Sequence, residues 1–185
     1  MFRYRCTKTS DDAETLCAIT ALLYNENMKI KFKKYQKNDF NELDQCMIQL
    51  QDFIVKLDPL KRLRRSSKYS PQYSLNIIEK ITKYDGVIFL AYDGKKIVGG
   101  IVGIIEAQSD KNLLECVLTQ AGRIVELFVS SKYRSLGIGK QLMGKMENYM
   151  RKKKCDVICI EVFEPNKVAH NFYKKLHYQD RAIDM

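Results

Sequence analysis

The residues best suited by type and spacing to do chemistry stand in the run Arg134-Ser135-Leu136-Gly137-Ile138-Gly139-Lys140. Glycines at 137 and 139 remove side chains that would keep a ligand off the backbone, and they allow dihedrals that aim successive N–H groups one way. A helix beginning here adds its unpaired N-terminal N–H groups and the positive end of its dipole. Lys132, Arg134 and Lys140 surround the turn with positive charge. The ligand this suits carries phosphates, a pyrophosphate held by backbone donors inside a basic rim. Two familiar phosphate patterns fail. A P-loop needs glycine where Arg134 stands and Ser or Thr where Gln141 stands. A dinucleotide fingerprint needs a third small residue where Leu142 stands, and the preceding chain lacks repeated strand-helix alternation.

Arg134-x-x-Gly137-x-Gly139, entered from the strand Ile124 to Val129, resembles the acetyl-CoA-binding motif of the GCN5-related N-acetyltransferases, the GNAT family. A second stretch, Asn166-x-x-Ala169-x-x-Phe172-Tyr173-x-x-x-His177-Tyr178, is similar to the family pattern downstream of it, with His177 where the family usually has glycine. The resemblance covers about residues 28 to 185 and is strongest from Gly122 to Tyr178. It implies acetyl-CoA as co-substrate, bound by Leu127, Phe128, Val129, Arg134, Ser135, Leu136, Gly137, Ile138, Gly139, Lys140, Asn166 and Tyr173, and an amine that attacks the thioester directly, without a metal. It also implies that the two strands flanking the glycine turn splay apart, with the pantetheine arm in the opening.

Acyl transfer to an amine needs a base, a stabilised oxyanion and a proton for the departing thiolate. With a pKa near ~10, only about one alkyl amine in a thousand is nucleophilic at neutral pH. Glu126 is the candidate base: alternation puts it on one strand face with Ile124 and Phe128, an apolar setting that raises a carboxylate's pKa. Its other reading is a sheet carboxylate paired with a nearby Lys or Arg. Tyr173 matches the family tyrosine near the CoA sulfur that protonates the thiolate, whereas helical spacing with Ala169, Phe172 and Leu176 would make it plain core. Oxyanion donors would be backbone N–H groups around Leu127 to Val129. Asn166 either contacts the cofactor, as the resemblance implies, or caps the following helix. His170 and His177 read as helix-surface or turn residues.

The elements that must position these groups read as an α/β (α+β) domain. The expected core is a central mixed, mostly antiparallel sheet with helices on both faces and one parallel strand-helix-strand crossover from Gly122 to Phe163. Residues 1–27 read as an N-terminal extension with a strand at Phe2–Cys6 and a helix at Ala13–Tyr24, and 28–185 as the acetyltransferase domain. Lys29 to Tyr35 alternates as a first strand. Asp39 is placed to cap a long helix that Asp58-Pro59 stops, and Ser70-Pro71 to cap a second. Val87 to Tyr92 and Ile97 to Ile105 form a hairpin about Asp93-Gly94. Gly99, Gly100 and Gly103 in its second strand suggest a bulge or a close approach. The helix after the glycine turn buries Ile138, Leu142, Met146 and Met150, and Asp156 to Phe163 is a strand covered on both faces. Little chain remains for a last strand, so residues 1–27 or a second subunit in a homodimer are expected to supply edge pairing.

The net charge of +10 arises from 32 basic and 22 acidic residues. Residues 1–27 set Arg3, Arg5 and Lys8 against Asp11, Asp12, Glu14 and Glu26, so the excess lies in the remainder, with basic runs at 29–37, 61–68 and 151–154. Such a balance suits a polyanionic partner, and CoA is one; nucleic-acid binding is the lesser reading. The run Lys61-Arg62-Leu63-Arg64-Arg65 is either a solvated loop or faces the acceptor, where it would favour an amine bearing an anionic group. The six cysteines lack paired spacing, which indicates neither a zinc site nor a disulfide framework. No apolar run is long enough to span a bilayer and the start is not a signal-peptide core, so a cytoplasmic protein is expected. The reading is an acetyl-CoA-dependent N-acetyltransferase, with a CoA-binding regulatory module without catalysis as the alternative.

Overall fold

Runs of branched apolar residues form the four strands β3 to β6 of a seven-stranded sheet in the order β2-β3-β4-β5-β6-β1-β7. The strands are β1 Phe2–Cys6, β2 Lys31–Lys34, β3 Val87–Asp93, β4 Lys96–Glu106, β5 Ala121–Val129, β6 Val157–Val162 and β7 Tyr178–Ala182. The computed structural model of the protein describes residues 2–6, 29–106 and 108–182; the helix expected at Ala13–Tyr24 lies outside them. From β2 to β5 neighbours are antiparallel, while β5 and β6 run parallel.

Among the described residues five α-helices connect the strands: α1 Phe40–Leu57, α2 Tyr69–Lys83, a single turn α3 Asp110–Leu113, α4 Ile138–Lys152 and α5 Lys167–Lys175. One sheet face carries α1 and α2 over Leu43, Met47, Ile77, Leu90 and Phe128. The opposite face carries α4 and α5 over Val98, Ile101, Ile124, Leu142, Met146, Ile160 and Tyr173. The helices α1, α2, α4 and α5 each turn one apolar stripe inward, which removes about 25 cal/mol of unfavourable hydration per Å². Two expected caps take other partners. The Asp39 carboxylate accepts the N–H of Gln36 at 2.7 Å, closing a 3-10 turn ahead of α1. Ser70 is extended and donates its hydroxyl to Asp44, which also accepts from Ser74 at 2.6 Å; this buried carboxylate ties α2 to α1.

Both readings of the β4 glycines are realised. A Cβ on Gly103 would stand 2.4 Å from Met146 Sδ, so the absent side chain lets α4 lie against the sheet, and the β4–β5 ladder slips between Val102 and Gly103. Opposite that slip Val125 is an extra residue on β5. The bulge changes the phase of the strand: Ile124 packs with the α4 face, whereas Val125 and Phe128 pack with the α1–α2 face. Glu126 therefore shares a face with Phe128 but not with Ile124, which corrects the simple alternation.

At the far edge residues 1–27 supply a strand, as expected, but in a different arrangement. A five-residue last strand, β7, does form, and β1 enters between it and β6, antiparallel to both. Phe2–Cys6 is thus an interior strand of the sheet and not an edge. On β6, Ile158, Ile160 and Val162 face the α4 side, while Cys159 and Glu161 on the reverse are only partly covered. Cys155 precedes the strand.

Candidate active site

The site is made where β5 and β6 part. Their parallel pairing runs from Ala121↔Val157 to Ile124↔Ile160 and stops there, one residue before the Val125 bulge, although β5 continues to Val129. A bulge bends its strand and increases its twist, so the extra residue accounts for the parting. The closed end is clamped by Arg123, which donates to Glu106 at 2.8 and 3.0 Å and to Glu161 at 2.7 Å, joining β4, β5 and β6.

A cleft of about 2190 Å³ opens from the parted strands between α4 and α5. Leu127, Phe128, Val129, Arg134, Ser135, Gly137, Ile138, Gly139, Lys140, Asn166 and Tyr173 all line it. Of the expected set, Leu136 packs instead against the α4-side core, and Glu126 is not among the residues that line the cleft. Ser130 N–H donates to Val98 O at 2.9 Å across to β4. By the two-residue period Phe128 N–H also points to β4, which leaves the backbone groups of Leu127 and Val129 on the open side. Of the three expected backbone donors, Phe128 is therefore turned away.

The turn into α4 has the form of an anion cradle. Gly137 is in the left-handed region at φ +76° and caps α4, and Ser135 shares that region at φ +64°. The N–H groups of Ile138 and Gly139 open the helix and have no intrahelical acceptor. A Cβ on Gly137 would meet nothing within 4 Å, whereas one on Gly139 would stand 3.2 Å from the Phe172 ring. Tyr133 anchors the turn by donating to Asp93 at 2.8 Å. Arg134 donates through Nε to Val129 O at 3.1 Å and lays its guanidinium 5.1 Å from the centre of the Phe53 ring on α1.

Tyr173, 5% exposed, borders the cleft and makes edge contacts with Phe172 and Tyr178 at 5.2 and 6.0 Å between centroids. Asn166 caps α5 by accepting the N–H of Ala169 at 3.2 Å, and it lines the cleft as well, so its two readings coexist. His177 makes the turn after α5 at φ +65°, the conformation for which glycine is the easier residue.

Glu126 is partly buried on the α1–α2 face and accepts a hydrogen bond from the Tyr73 hydroxyl. Burial pushes its pKa up to about 7, against the opposing pull of the Tyr73 hydrogen bond and of Lys80. Tyr73 stacks on Tyr69 with centroids 4.7 Å apart. Sequence reasoning missed this tyrosine; its only signal was the Tyr69-x-x-x-Tyr73 spacing, two aromatics on one helix face.

The family model described as Acetyltransferase (GNAT) family matches residues 54–178, more than half of the chain. An uncharacterized N-acetyltransferase of Methanocaldococcus jannaschii, MJ1530, is 27% identical over 128 residues, which span 69% of this chain and 74% of that protein. Among solved structures, a mutant of the BH1408 protein from Bacillus halodurans superposes with a TM-score of 0.74 at 18% identity, covering 84% of this chain and 96% of that one. Glucosamine-6-phosphate N-acetyltransferase from Arabidopsis thaliana gives 0.61 at 20% identity, covering 85% and 96%. These likenesses show the fold. With the family match they define an acyltransferase of the N-acetyltransferase kind. The chain belongs to the GNAT acetyltransferase family.

Proposed function

We propose that the protein transfers an acetyl group from acetyl-CoA to an amine by direct attack, with Glu126 as base and Tyr173 as acid. The observation that carries this reading is the parting of β5 and β6 between an anion cradle at Gly137–Gly139 and a cleft-lining tyrosine. Acetyl-CoA supplies the activated acetyl thioester. The N–H groups opening α4, with Lys132, Arg134 and Lys140 around them, suit its pyrophosphate. The exposed backbone of Leu127 and Val129 offers a strand edge for the amides of the pantetheine arm, and the Leu127 N–H is the candidate oxyanion donor. Glu126, with a pKa near 7, is poised to take a proton from an ammonium at neutral pH, directly or through a water, while Tyr73 fixes its carboxylate. The Tyr173 hydroxyl gives a proton to the departing thiolate.

We further propose that residues 28–185 act as the transferase unit in the cytoplasm, with residues 1–27 as an extension that lends the sheet its β1 strand. Among the described residues no helix is long and apolar enough to cross a membrane. Calorimetry with acetyl-CoA, followed by thiol release on the same sample against amines, amino acids, aminoglycosides and peptides, tests the reading. Binding with amine-dependent release is expected. Binding without release from any acceptor would favour the non-catalytic CoA-binding module, and no binding would overturn the cradle.

A further inference from the structure

The loop between α1 and α2 is shaped by its own hydrogen bonds, strongly basic, and held against α1 beside Phe53 at the rim of the cleft. Residues 59–68 contain Lys61, Arg62, Arg64, Arg65 and Lys68 and no acidic residue, and every side chain from 61 to 68 is exposed. The loop is folded about one buried carboxylate. Asp58, 9% exposed, accepts the N–H groups of Leu60, Arg62 and Leu63 at 3.0, 2.6 and 2.7 Å, and these bonds hold its pKa below the usual carboxylate range.

From there the chain doubles back along α1. Gln51 Nε2 donates to Arg64 O at 3.1 Å, and Arg65 Nε donates to Asp52 at 2.6 Å. Arg64 and Arg65 consequently lie level with Phe53, whose ring lines the cleft and carries the Arg134 guanidinium. Beyond the loop comes Tyr69, stacked on the tyrosine that holds Glu126, and the charges of both Arg65 and Glu126 act on the Tyr69 hydroxyl. Arg65 is neutralised by Asp52, whereas Lys61, Arg62, Arg64 and Lys68 make no ion pair among the described residues.

We infer that this loop is the docking surface for the acceptor, and that the acceptor is a peptide whose reacting amine is flanked by aspartate and glutamate. The inference rests on the proposed amine transfer and adds the substrate class. The cradle has its own cations in Arg134 and Lys140, so the loop charges are not needed for the pyrophosphate. An exposed strip of ten residues suits an extended chain more than a small acid, and like charge disfavours polyamines. Its exposed apolar side chains are Leu60 and Leu63, which can receive apolar peptide residues but offer no aromatic face on which nucleobases stack. Single exposed ion pairs are weak, but four cations held in place act together and are screened by salt.

The test uses peptides of equal length with one free amine each, flanked by Asp/Glu, by Ser/Gly or by Arg. Thiol release from acetyl-CoA gives kcat/KM, and fluorescence anisotropy gives peptide affinity for the same protein. Acidic peptides are expected to exceed neutral ones by about tenfold at low salt, and the margin should vanish by about 0.5 M salt. The variant Lys61→Glu/Arg62→Glu/Arg64→Glu should lose the margin while its affinity for acetyl-CoA is unchanged. Equal rates for all peptides, a margin that survives the triple variant, or weakened acetyl-CoA binding in that variant would overturn the inference. Tighter binding of a single-stranded RNA than of acidic peptide would do the same. Failure of the transfer reading is separate: it shows as no thiol release from any peptide, amine, amino acid or aminoglycoside, and the anisotropy arm then still decides whether acidic peptides bind the loop; release from small amines alone would overturn the inference and leave the transfer reading intact.

Discussion

At the scale of single residues, Glu126 sets the pH behaviour. In the proposed mechanism its ionised form is the base, so kcat/KM should rise with pH through a limb near 7, as measured by thiol release across pH. Tyr73→Phe removes a hydrogen bond that stabilises the ionised form, so the limb should move to higher pH; an unmoved limb would dissociate Tyr73 from the base. Stability runs the other way. A carboxyl whose pKa rises from its ordinary 4.5 to about 7 on folding favours the fold while protonated. That contribution is fully present below 4.5 and is lost as pH climbs through 7, on the order of 3 kcal/mol. Urea midpoints for wild type and Glu126→Gln should converge at acid pH and separate above neutrality, with the variant the more stable. Tyr173→Phe should spare acetyl-CoA affinity and lower kcat by about tenfold to a hundredfold, in line with the loss of one general acid. Arg134, Gly137 and Tyr173 could be singled out in the sequence because each sits in a local motif, and the structure brings all three to one cleft; Glu126 was a candidate from strand alternation, whose phase the bulge corrects. Tyr73 could not be singled out, because its role depends on a contact 53 residues distant in the chain.

At the scale of elements, the Val125 bulge is the feature that opens the site. Removing Val125 would bring Val102↔Glu126 and Gly103↔Ile124 into an unbroken ladder, keep Glu126 on its face, and allow β5 to pair further along β6. The deletion should raise the melting temperature or leave it unchanged, yet weaken acetyl-CoA at least tenfold by calorimetry; undiminished affinity would show that the strands part for another reason. The turn after α5 offers an independent change. His177 holds φ +65°, where a residue with a Cβ costs about 1–2 kcal/mol, so His177→Gly should stabilise by roughly 0.5–1 kcal/mol after the added chain entropy of glycine. The helices and the β3–β4 hairpin were legible because apolar period and turn residues are local signals. The bulge was not. Alternation assumes a constant phase, and the slip is set by the partner strand through Gly103 and Met146.

At the scale of the whole molecule, the parallel crossover and the helices on both faces could be anticipated from order and pattern. The interior place of β1 could not, since nothing in Phe2–Cys6 states which strand it will join. Without residues 2–6 the partners β6 and β7 would lose their shared neighbour, and the truncated protein should melt several degrees lower in a thermal scan. An unchanged melting point would show that β7 can close directly on β6. The same arrangement imposes an order of events on synthesis. A chain leaves the ribosome from its first residue, at about 5–20 residues per second, yet Phe2 pairs with Val162 and Cys6 with Tyr178. Residues 2–6 must therefore wait for these partners until the chain has been made through β6 and β7. The far side of the sheet is sealed only when β1 meets β6 and β7, so a strand made well before its neighbours is among the last to find its place.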